Sequence, residues 1–296
     1  MNKLRIKIFS VFFALFTAMF ISSCSKGTRA GSFVISFIGS VEITRGAEAP
    51  RAVLLGEELK QGDRIVTGPD SFVVFSIGDR AVARVQPDSD VVLTSITDLS
   101  KINLMLDRGG VLNKVGKVDK GASYRVTTPT VVASVRGTVF STYYEEGSNT
   151  VAVKAGTVNV AVRDKGESID VKEGNTAVFS DKLLERPIEK AESILLENMT
   201  LLPIEIDVSR KEKVEELNKQ IIEQNNEVDK KLKAEGIPNT VEEIKEQYGR
   251  IDEVILYSGK IIRGVIVERS AYVKVLTPSG YVSIPAKKVR NTRIVR

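Results

Sequence analysis

The chain has no histidine and no tryptophan, and Cys24 is the only cysteine among its 296 residues. Ser-His-Asp and Cys-His catalysis both need an imidazole base, so the missing histidine excludes them. Standard structural zinc sites draw on Cys and His and are excluded as well. A single cysteine also leaves no intrachain disulfide, so the fold must rely on its core. Only carboxylate, Lys, Tyr, Ser or Thr chemistry remains, and we expect no enzymatic activity, no cofactor and no metal.

The first residues have the three parts of an export signal. Lys3, Arg5 and Lys7 form a basic start, residues 8–21 are almost wholly apolar, and the small residues Ser22 and Ser23 follow. This order is typical of a signal peptide. The apolar run is shorter than the roughly 20 residues that a membrane-spanning helix needs. We therefore predict a signal peptide over residues 1–23.

Cys24 directly follows that segment. Its position resembles a lipobox, whose cysteine is diacylglyceryl-modified and becomes the first residue of the mature protein. An ordinary secretory signal with a chance cysteine is the alternative. Two or three acyl chains would hold a protein stably at a bilayer. We expect lipid attachment at Cys24, a flexible tether over residues 24–32, and anchorage to a bacterial membrane, on its periplasmic side or at the cell surface.

The net charge also bears on the partner. Removing the signal peptide lowers the formal net charge from +5 to +2, because that peptide carries three cations and no acid. Nucleic-acid binding predicts a concentrated basic face. An exported chain of nearly balanced charge does not favour it, and we expect no nucleic-acid partner.

Residues 33–182 read as short apolar strands separated by turn signals, the pattern of an all-β domain. Residues 33–38 and 41–44 flank Gly39-Ser40 and suggest a hairpin, and residues 107–110 suggest a turn. The unit Gly-x-Val-x-(Val/Ile) occurs at residues 39–43 and again at 156–160. Successive strands should therefore stack in similar register, and the choice between a β-sandwich and a β-roll stays open.

The most patterned segment is residues 127–140, TTPTVVASVRGTVF. Pro129 biases the residue before it towards an extended backbone, and the valines that follow suit a half-buried strand. Gly137 would supply a bulge. We predict one central strand with a single irregularity at Arg136-Gly137-Thr138.

This segment and its neighbours resemble the FecR-domain family over about residues 36–180. The similarity rests on YRVTTPTVVASVRGTVF with the later TVAVKAGTVNV, on LKQGDRIVT at residues 59–67, and on residues 79–93. In that last segment Arg80-Ala81 replaces the usual Gly-Ser. The family is best known from regulators that relay the occupancy of an outer-membrane receptor to a cytoplasmic sigma factor. Those regulators have a spanning helix before the domain, where this chain has a lipobox.

Arg136, Gly137 and Thr138 are the candidate partner contacts. Arg136 would bind an anion or a partner protein, although pairing with a carboxylate such as Asp63 or Glu145 is the interpretation that we favour. The carboxylate of Asp63 should cap its own turn. Asp88, Ser89 and Asp90 lack the length and spacing of a calcium loop.

Beyond residue 187 the pattern becomes helical and then β again. A short helix is expected over residues 188–200, and Ser209 with Glu212 suggests a capping box for the next helix. Its narrow apolar stripe favours packing on the β domain over a two-stranded coiled coil. Five short strands after residue 250, with Gly264 inside the second, suggest a small closed barrel. Its strand spacing resembles Sm-like or SH3-like barrels.

We therefore predict a mainly β protein, with a FecR-like β-sandwich or β-roll, an α-helical linker and a small five-stranded C-terminal barrel. The expected parts are a signal peptide (1–23), a tether (24–32), the FecR-like domain (33–182), the linker (187–249) and the barrel (250–296). The expected function is non-enzymatic binding of a protein partner or an envelope polymer, by strand-edge pairing or in a groove between the FecR-like domain and the linker. One alternative is a periplasmic accessory of a FecR-type sensor system. Another is a glycan hydrolase, which would need two converging carboxyl groups with one raised pKa.

Overall fold

Strands dominate the chain. The computed structural model describes residues 31–117, 121–238, 240–278 and 280–295, so the predicted signal peptide and most of the tether lie outside the described residues. The strands are β1 (Ser32–Ile38), β2 (Val41–Thr44), β3 (Arg51–Ala52), β4 (Glu58–Leu59), β5 (Arg64–Thr67), β6 (Phe72–Ile77), β7 (Ala81–Val85), β8 (Asp90–Ser95), β9 (Lys101–Val115), β10 (Ser123–Thr127), β11 (Val131–Val135), β12 (Val139–Glu145), β13 (Ser148–Ala155), β14 (Thr157–Val162), β15 (Ser168–Lys172), β16 (Asn175–Phe179), β17 (Leu183–Pro187), β18 (Ile251–Leu256), β19 (Ile261–Arg269), β20 (Tyr272–Thr277), β21 (Gly280–Pro285) and β22 (Val289–Val295). The helices are α1 (Lys190–Leu201), α2 (Lys211–Ala234) and α3 (Val241–Tyr248).

The first 17 strands form two series of paired strands that meet in β9. One series, the covered sheet, has the order β4-β1-β6-β7-β9-β12-β13-β16-β17. The other, the open sheet, has the order β3-β2-β5-β8-β9-β10-β11-β14-β15. Apolar side chains from both sheets meet in one core. The mainly β fold is confirmed, and the two facing layers correspond to a sandwich.

Strand β9 belongs to both sheets. Residues 101–108 pair with β8 and β10 in the open sheet, and residues 109–114 pair with β12 in the covered sheet. The predicted turn at residues 107–110 is therefore wrong, because the strand continues through it. Gly109 has φ +81°, and a Cβ there would lie 2.1 Å from the Ser89 hydroxyl oxygen. The glycine permits both the positive φ and the close approach where β9 changes sheets.

The most patterned segment of the sequence is two strands. β11 lies in the open sheet and β12 in the covered sheet, and the chain passes between them at Gly137, whose φ is +74°. Pro129 lies in the tight turn before β11, where the Thr128 hydroxyl accepts hydrogen bonds from the backbone N–H of Thr130 and Val131. The prediction of one strand with a bulge is therefore wrong. A bulge and a crossing between sheets both need a glycine at this point, so the local sequence does not distinguish them.

The predicted hairpin around Gly39 is also a crossing. β1 pairs with β4 and β6 in the covered sheet, whereas β2 pairs with β3 and β5 in the open sheet. The second copy of the repeated unit behaves in the same way, since Gly156 separates β13 from β14. Both glycines have positive φ. The repeated unit thus marks the points where the chain passes from the covered sheet to the open sheet.

The helices cover the outer face of the covered sheet. Leu196 and Met199 of α1 and Ile221 of α2 pack with Ile35, Val74 and other outward side chains of that sheet. Strands β6 and β7 are consequently buried on both faces. The apolar stripe of α2 packs on the β domain, which agrees with the favoured interpretation.

The start of α2 differs from the prediction. Ser209 donates to the carboxylate of Asp207, and the helix begins at Lys211 after Arg210. The interaction typical of a capping box lies at α1 instead, where Glu192 accepts from the backbone N–H of Glu189 at 2.9 Å. The third helix begins after Thr240, whose hydroxyl oxygen accepts a hydrogen bond from the Glu243 N–H at 3.1 Å.

The C-terminal strands form a separate five-stranded antiparallel sheet in the order β21-β20-β19-β18-β22. The first half of β19 pairs with β18 and the second half with β20, and the change occurs at Gly264. A Cβ on Gly264 would lie 2.1 Å from the carbonyl oxygen of Leu276. The glycine expected inside the second C-terminal strand thus lies where β19 changes its pairing partner. Closure into an SH3-like barrel stays a prediction.

Candidate functional site

The outward side of the open sheet carries a polar surface, here called the open face. It is formed by side chains from β9, β10, β11, β14 and β15, and by Arg136 just after β11. The residues of the open face are Lys101, Asn103, Ser123, Arg125, Ser134, Arg136, Thr157, Asn159, Asp170 and Lys172. All except Lys172 line a groove of about 570 Å3. No helix packs on this side among the described residues.

Strand register aligns the centre of the open face. Arg125 is paired with Asn103 on one side and with Ser134 on the other. Ser134 is in turn paired with Asn159, and Asn159 with Asp170. The five side chains form one row across five strands, because paired residues of neighbouring strands project to the same face. The Asn159 amide also donates to Asp170 Oδ1 at 2.7 Å.

The cations of the open face form no ion pair with a carboxylate among the described residues, although Lys101 lies close enough to Asp98 to help lower the pKa of that carboxyl. No ion pair is formed by Lys101, Arg125, Arg136 or Lys172 within this part of the chain. The groove includes one acid, Asp170, which lies at the end of the row. The open face thus carries four cationic side chains and one carboxylate.

The other half of the same sheet is different. Arg45 binds Asp63 with a 2.7 Å contact, Arg51 binds Glu57, and Arg64 lies 2.5 Å from an oxygen of Asp90. Each arginine in this half is therefore neutralised by a nearby carboxylate. The contrast within one sheet identifies the open face as the part that is left to interact with something else.

The three predicted contact residues separate into different environments. Arg136 is exposed and lines the groove. Gly137 is half-buried, and Thr138 is buried. Arg136 does not bind Asp63, which is held by Arg45, or Glu145, which accepts from Lys260. The ion pairing favoured for Arg136 is thus wrong, and of the three residues only Thr138 is buried away from a partner.

Asp63 is a structural residue. Its side chain is fully buried and accepts two hydrogen bonds from Arg45, at 2.8 and 2.7 Å. The backbone N–H of Lys60 donates to it at 2.8 Å, which closes the turn before β5 as predicted. The nearby carboxylate raises the pKa of Arg45. Asp63 has no free oxygen for catalysis.

A second polar region, here called the charged cleft, lies between the sandwich and the C-terminal sheet. It measures about 310 Å3 and contains three acids and three cations: Asp70, Asp88, Glu145, Arg108, Lys260 and Arg263. Partial burial raises the pKa of each of the three carboxyl groups. The hydrolase hypothesis requires such a convergence, so it stays a testable alternative. Asp70 and Asp88 nevertheless keep much of their exposure to solvent, and Glu145 already accepts a hydrogen bond from Lys260.

The expected groove between the β domain and the helices is nearly filled. The cavity between Leu112 and Thr142 of the covered sheet and Leu195 of α1 has a volume of only about 50 Å3. The helices pack closely because both surfaces are apolar. This small volume does not favour the predicted binding groove at this place.

Comparison with known proteins relates the sandwich to a family. Residues 63–159 match the FecR protein family. The FecR region runs from Asp63 to Asn159 and includes β9, the Gly137 crossing and most of the open face. No curated protein matches the chain.

Two crystal structures, each described as that of a candidate anti-sigma factor from Parabacteroides distasonis, are similar to part of the chain. One is 17% identical with a TM-score of 0.38, and the alignment covers 43% of this chain and 60% of that chain. The other is 22% identical with a TM-score of 0.29, and covers 42% and 55%. The chain therefore spans little more than half the length of each of these two solved chains.

The sequence alone does not predict the open face, although it contains one pattern that indicates a solvated side for some of the strands. In β10, β11 and β14 of the FecR region, polar residues alternate with buried apolar ones. This alternation predicts one solvated face for each strand. Which strands lie side by side is set by long-range pairing, so the row through Arg125 and Asn159 could not be assembled from the sequence.

Two further features concern metals and membranes. Within the described ranges, no group of three or more carboxylate or cysteine side chains is placed to hold a metal ion. None of the three helices combines the length and apolarity needed to cross a bilayer.

Proposed function

We propose that the chain is a lipid-anchored envelope protein that binds a protein partner or an envelope polymer through the open face and transforms no substrate. The observation that supports this proposal is the contrast within the open sheet. Arg45, Arg51 and Arg64 are paired with carboxylates, whereas the cations of the open face have no described acidic partner. A bound anion or polar polymer would supply the missing interactions.

The layer arrangement supports the same assignment. Helices α1 and α2 occupy the outer face of the covered sheet, so of the two sandwich sheets the open sheet is the one with a helix-free outer face among the described residues. The FecR region supplies most of that face. Anchorage through Cys24 is proposed from the sequence, since that residue lies outside the described residues.

The test is site-specific photocrosslinking in intact cells. A photoreactive residue in place of Asn159 reports on the open face, and one in place of Lys219, an exposed residue of α2, serves as the control. We expect a crosslinked adduct from position 159 and none from position 219. Adducts of equal yield at both positions, or at neither, would contradict the proposal.

The anchor is tested separately by replacing Cys24 with serine. We expect the wild-type chain to fractionate with membranes and to carry fatty acid at its N-terminus, and Cys24→Ser to lose both properties. A wild-type chain without fatty acid would overturn the anchoring. Turnover of a glycan by the purified protein, abolished by Asp88→Asn, would instead support the hydrolase alternative.

A second candidate function is a periplasmic accessory of a FecR-type signal-transduction system. The match of residues 63–159 to the FecR family favours it. The partner captured at position 159 would then be a receptor or regulator with its own spanning segment. Deletion of the chain should change transcription from the promoter that the system controls, and unchanged transcription would exclude this role.

A further inference from the structure

We infer that the open face binds a linear polysaccharide that carries negative charges. This inference rests on the proposed function and names the chemistry of its ligand. Its basis is the juxtaposition of unpaired cations with a row of amide and hydroxyl side chains in one groove.

The charge of the groove selects an anionic ligand. Lys101, Arg125 and Arg136 line it, and Lys172 is paired in register with Thr157 at its rim. Asp170 is the single acid among the lining residues described, and Asn159 already donates to it. Guanidinium groups bind carboxylate, sulfate and phosphate groups with two parallel hydrogen bonds. An acidic polymer would thus gain several charge-assisted contacts.

The neutral side chains of the groove suit a ligand rich in hydroxyl groups. Asn159, Ser134 and Asn103 share the row with Arg125. Amides and hydroxyls both donate and accept, as sugar hydroxyls do. The row crosses four strand spacings of about 4.8 Å, or roughly 19 Å. An extended chain of several sugar residues can therefore lie along it.

Two other classes of macromolecule fit less well. Single-stranded nucleic acids are bound by stacking bases on aromatic rings, and no aromatic side chain lines the groove among the described residues. Protein interfaces have an apolar, aromatic-rich centre. The apolar groove residues Ile102 and Val135 are buried and point into the core. Among the described residues the groove therefore has no aromatic centre, and its exposed surface is partly polar and partly apolar.

The experiment measures binding of defined polymers to the full mature chain in detergent micelles. The probes are alginate, which is a linear polyuronate, neutral dextran, dextran sulfate and a thymidine oligonucleotide. We expect alginate to bind at least 100-fold more tightly than dextran, with an affinity that falls as salt is added. Dextran sulfate separates a requirement for carboxylates from a requirement for negative charge alone. Tighter binding of the oligonucleotide than of either acidic polysaccharide would overturn the inference.

Variants locate the site. Each of Arg125→Gln and Arg136→Gln should weaken alginate binding about tenfold, the effect of losing one charged hydrogen bond. The control is the triple variant Lys190→Gln, Lys211→Gln and Lys230→Gln on the helices, whose side chains are 64%, 87% and 72% exposed. It removes more charge and should leave the affinity within twofold of wild type. A similar loss in the control would show that binding follows net charge and not the open face.

A variant that is expected to bind more tightly excludes misfolding as the explanation of the weaker binding by the other variants. Asp170→Asn removes the one acid from the groove and should tighten alginate binding several-fold. Unchanged or weaker binding by this variant would contradict the inference. If alginate fails to bind while position 159 still crosslinks a partner in cells, the ligand class is wrong and the proposed function stands. If crosslinking fails as well, both are wrong.

Discussion

Lys260 Nζ donates a hydrogen bond to Glu145 Oε1 across the junction between the sandwich and the C-terminal sheet. The carboxylate belongs to the end of β12 and is buried, while the lysine precedes β19. Ser258 donates to Glu146 Oε1 at 3.2 Å beside it. On the other side of the junction, Tyr272 donates to Asp181 at 3.1 Å. Polar contacts between acids of the sandwich and donors of the C-terminal sheet thus join the two units.

The first prediction concerns Glu145 and pH. Burial raises the pKa of its carboxyl above the usual 4.5, and the attraction of Lys260 only partly offsets this rise. The folded chain therefore holds this proton more tightly than the unfolded chain, so this group's contribution to stability falls as pH rises from about 4.5 through the raised pKa. In urea unfolding between pH 4 and 8, wild type should lose stability relative to Glu145→Gln across this window. Parallel curves for the two proteins would refute the prediction.

The second prediction concerns the buried ion pair of Asp63 and Arg45. Asp63→Asn should lower the free energy of unfolding by about 3 kcal/mol, because it leaves a charged group without its partner in a partly buried place. The matched control is Glu227→Gln, which breaks an ion pair with Lys230 on the surface of α2. That change should cost less than about 1 kcal/mol. Chemical denaturation measures both, and equal losses would contradict the distinction.

The third prediction concerns a guanidinium under α2. Arg84 is 8% exposed, lies 3.9 Å from the centre of the Phe72 ring and donates to Asn225 Oδ1 at 2.5 Å. Burial lowers its pKa to about 10. Asn225→Ala removes the acceptor and should cost about 2 kcal/mol. Arg84→Met removes the buried charge itself and should cost less, because an apolar side chain suits this place. Thermal unfolding of both variants tests the order, and the reverse order would disprove it.

The fourth prediction concerns the crossing glycine of β9. Gly109→Ala should destabilise the fold by at least about 2 kcal/mol, since it combines a strained positive φ with a contact of 2.6 Å between the new Cβ and the Cα of Ser89. Gly174 has nearly the same φ, +80°, but no atom lies within 4 Å of the place that a Cβ would take there. Gly174→Ala therefore measures the cost of φ alone. The clash has no effect if both variants unfold at the same denaturant concentration.

Local patterns are sufficient to predict the individual strands and the overall class. The structure contains the five short strands that are expected after residue 250, because β-branched runs and turn residues alternate there. The position of Gly264 inside the second of these strands is predictable for the same local reason. The strands and the position of the glycine depend on residues that are neighbours in the chain, so they can be predicted directly from the sequence.

Glycines with a positive φ are located correctly by the sequence, but their role is not. A hairpin at Gly39, a turn at Gly109 and a bulge at Gly137 are the local interpretations, and each glycine is a crossing between the two sheets. The local conformation is similar in all these cases, and only the partner strand distinguishes them. The pairing expected for Arg136 is wrong for the same reason, since its distance from Asp63 and Glu145 depends on which strands pair.

The crossings also have a mechanical consequence. A ligand that pulls on β10, β11 or β14 applies a force to the open sheet. That sheet is connected to the covered sheet at Gly137 and through β9, which belongs to both. The open sheet therefore cannot separate from the covered sheet by itself, and a force applied at Arg125 must act on both sheets together. This connection between the sheets suits the proposed arrangement, in which a lipid holds one end of the protein and a long polymer binds the open face.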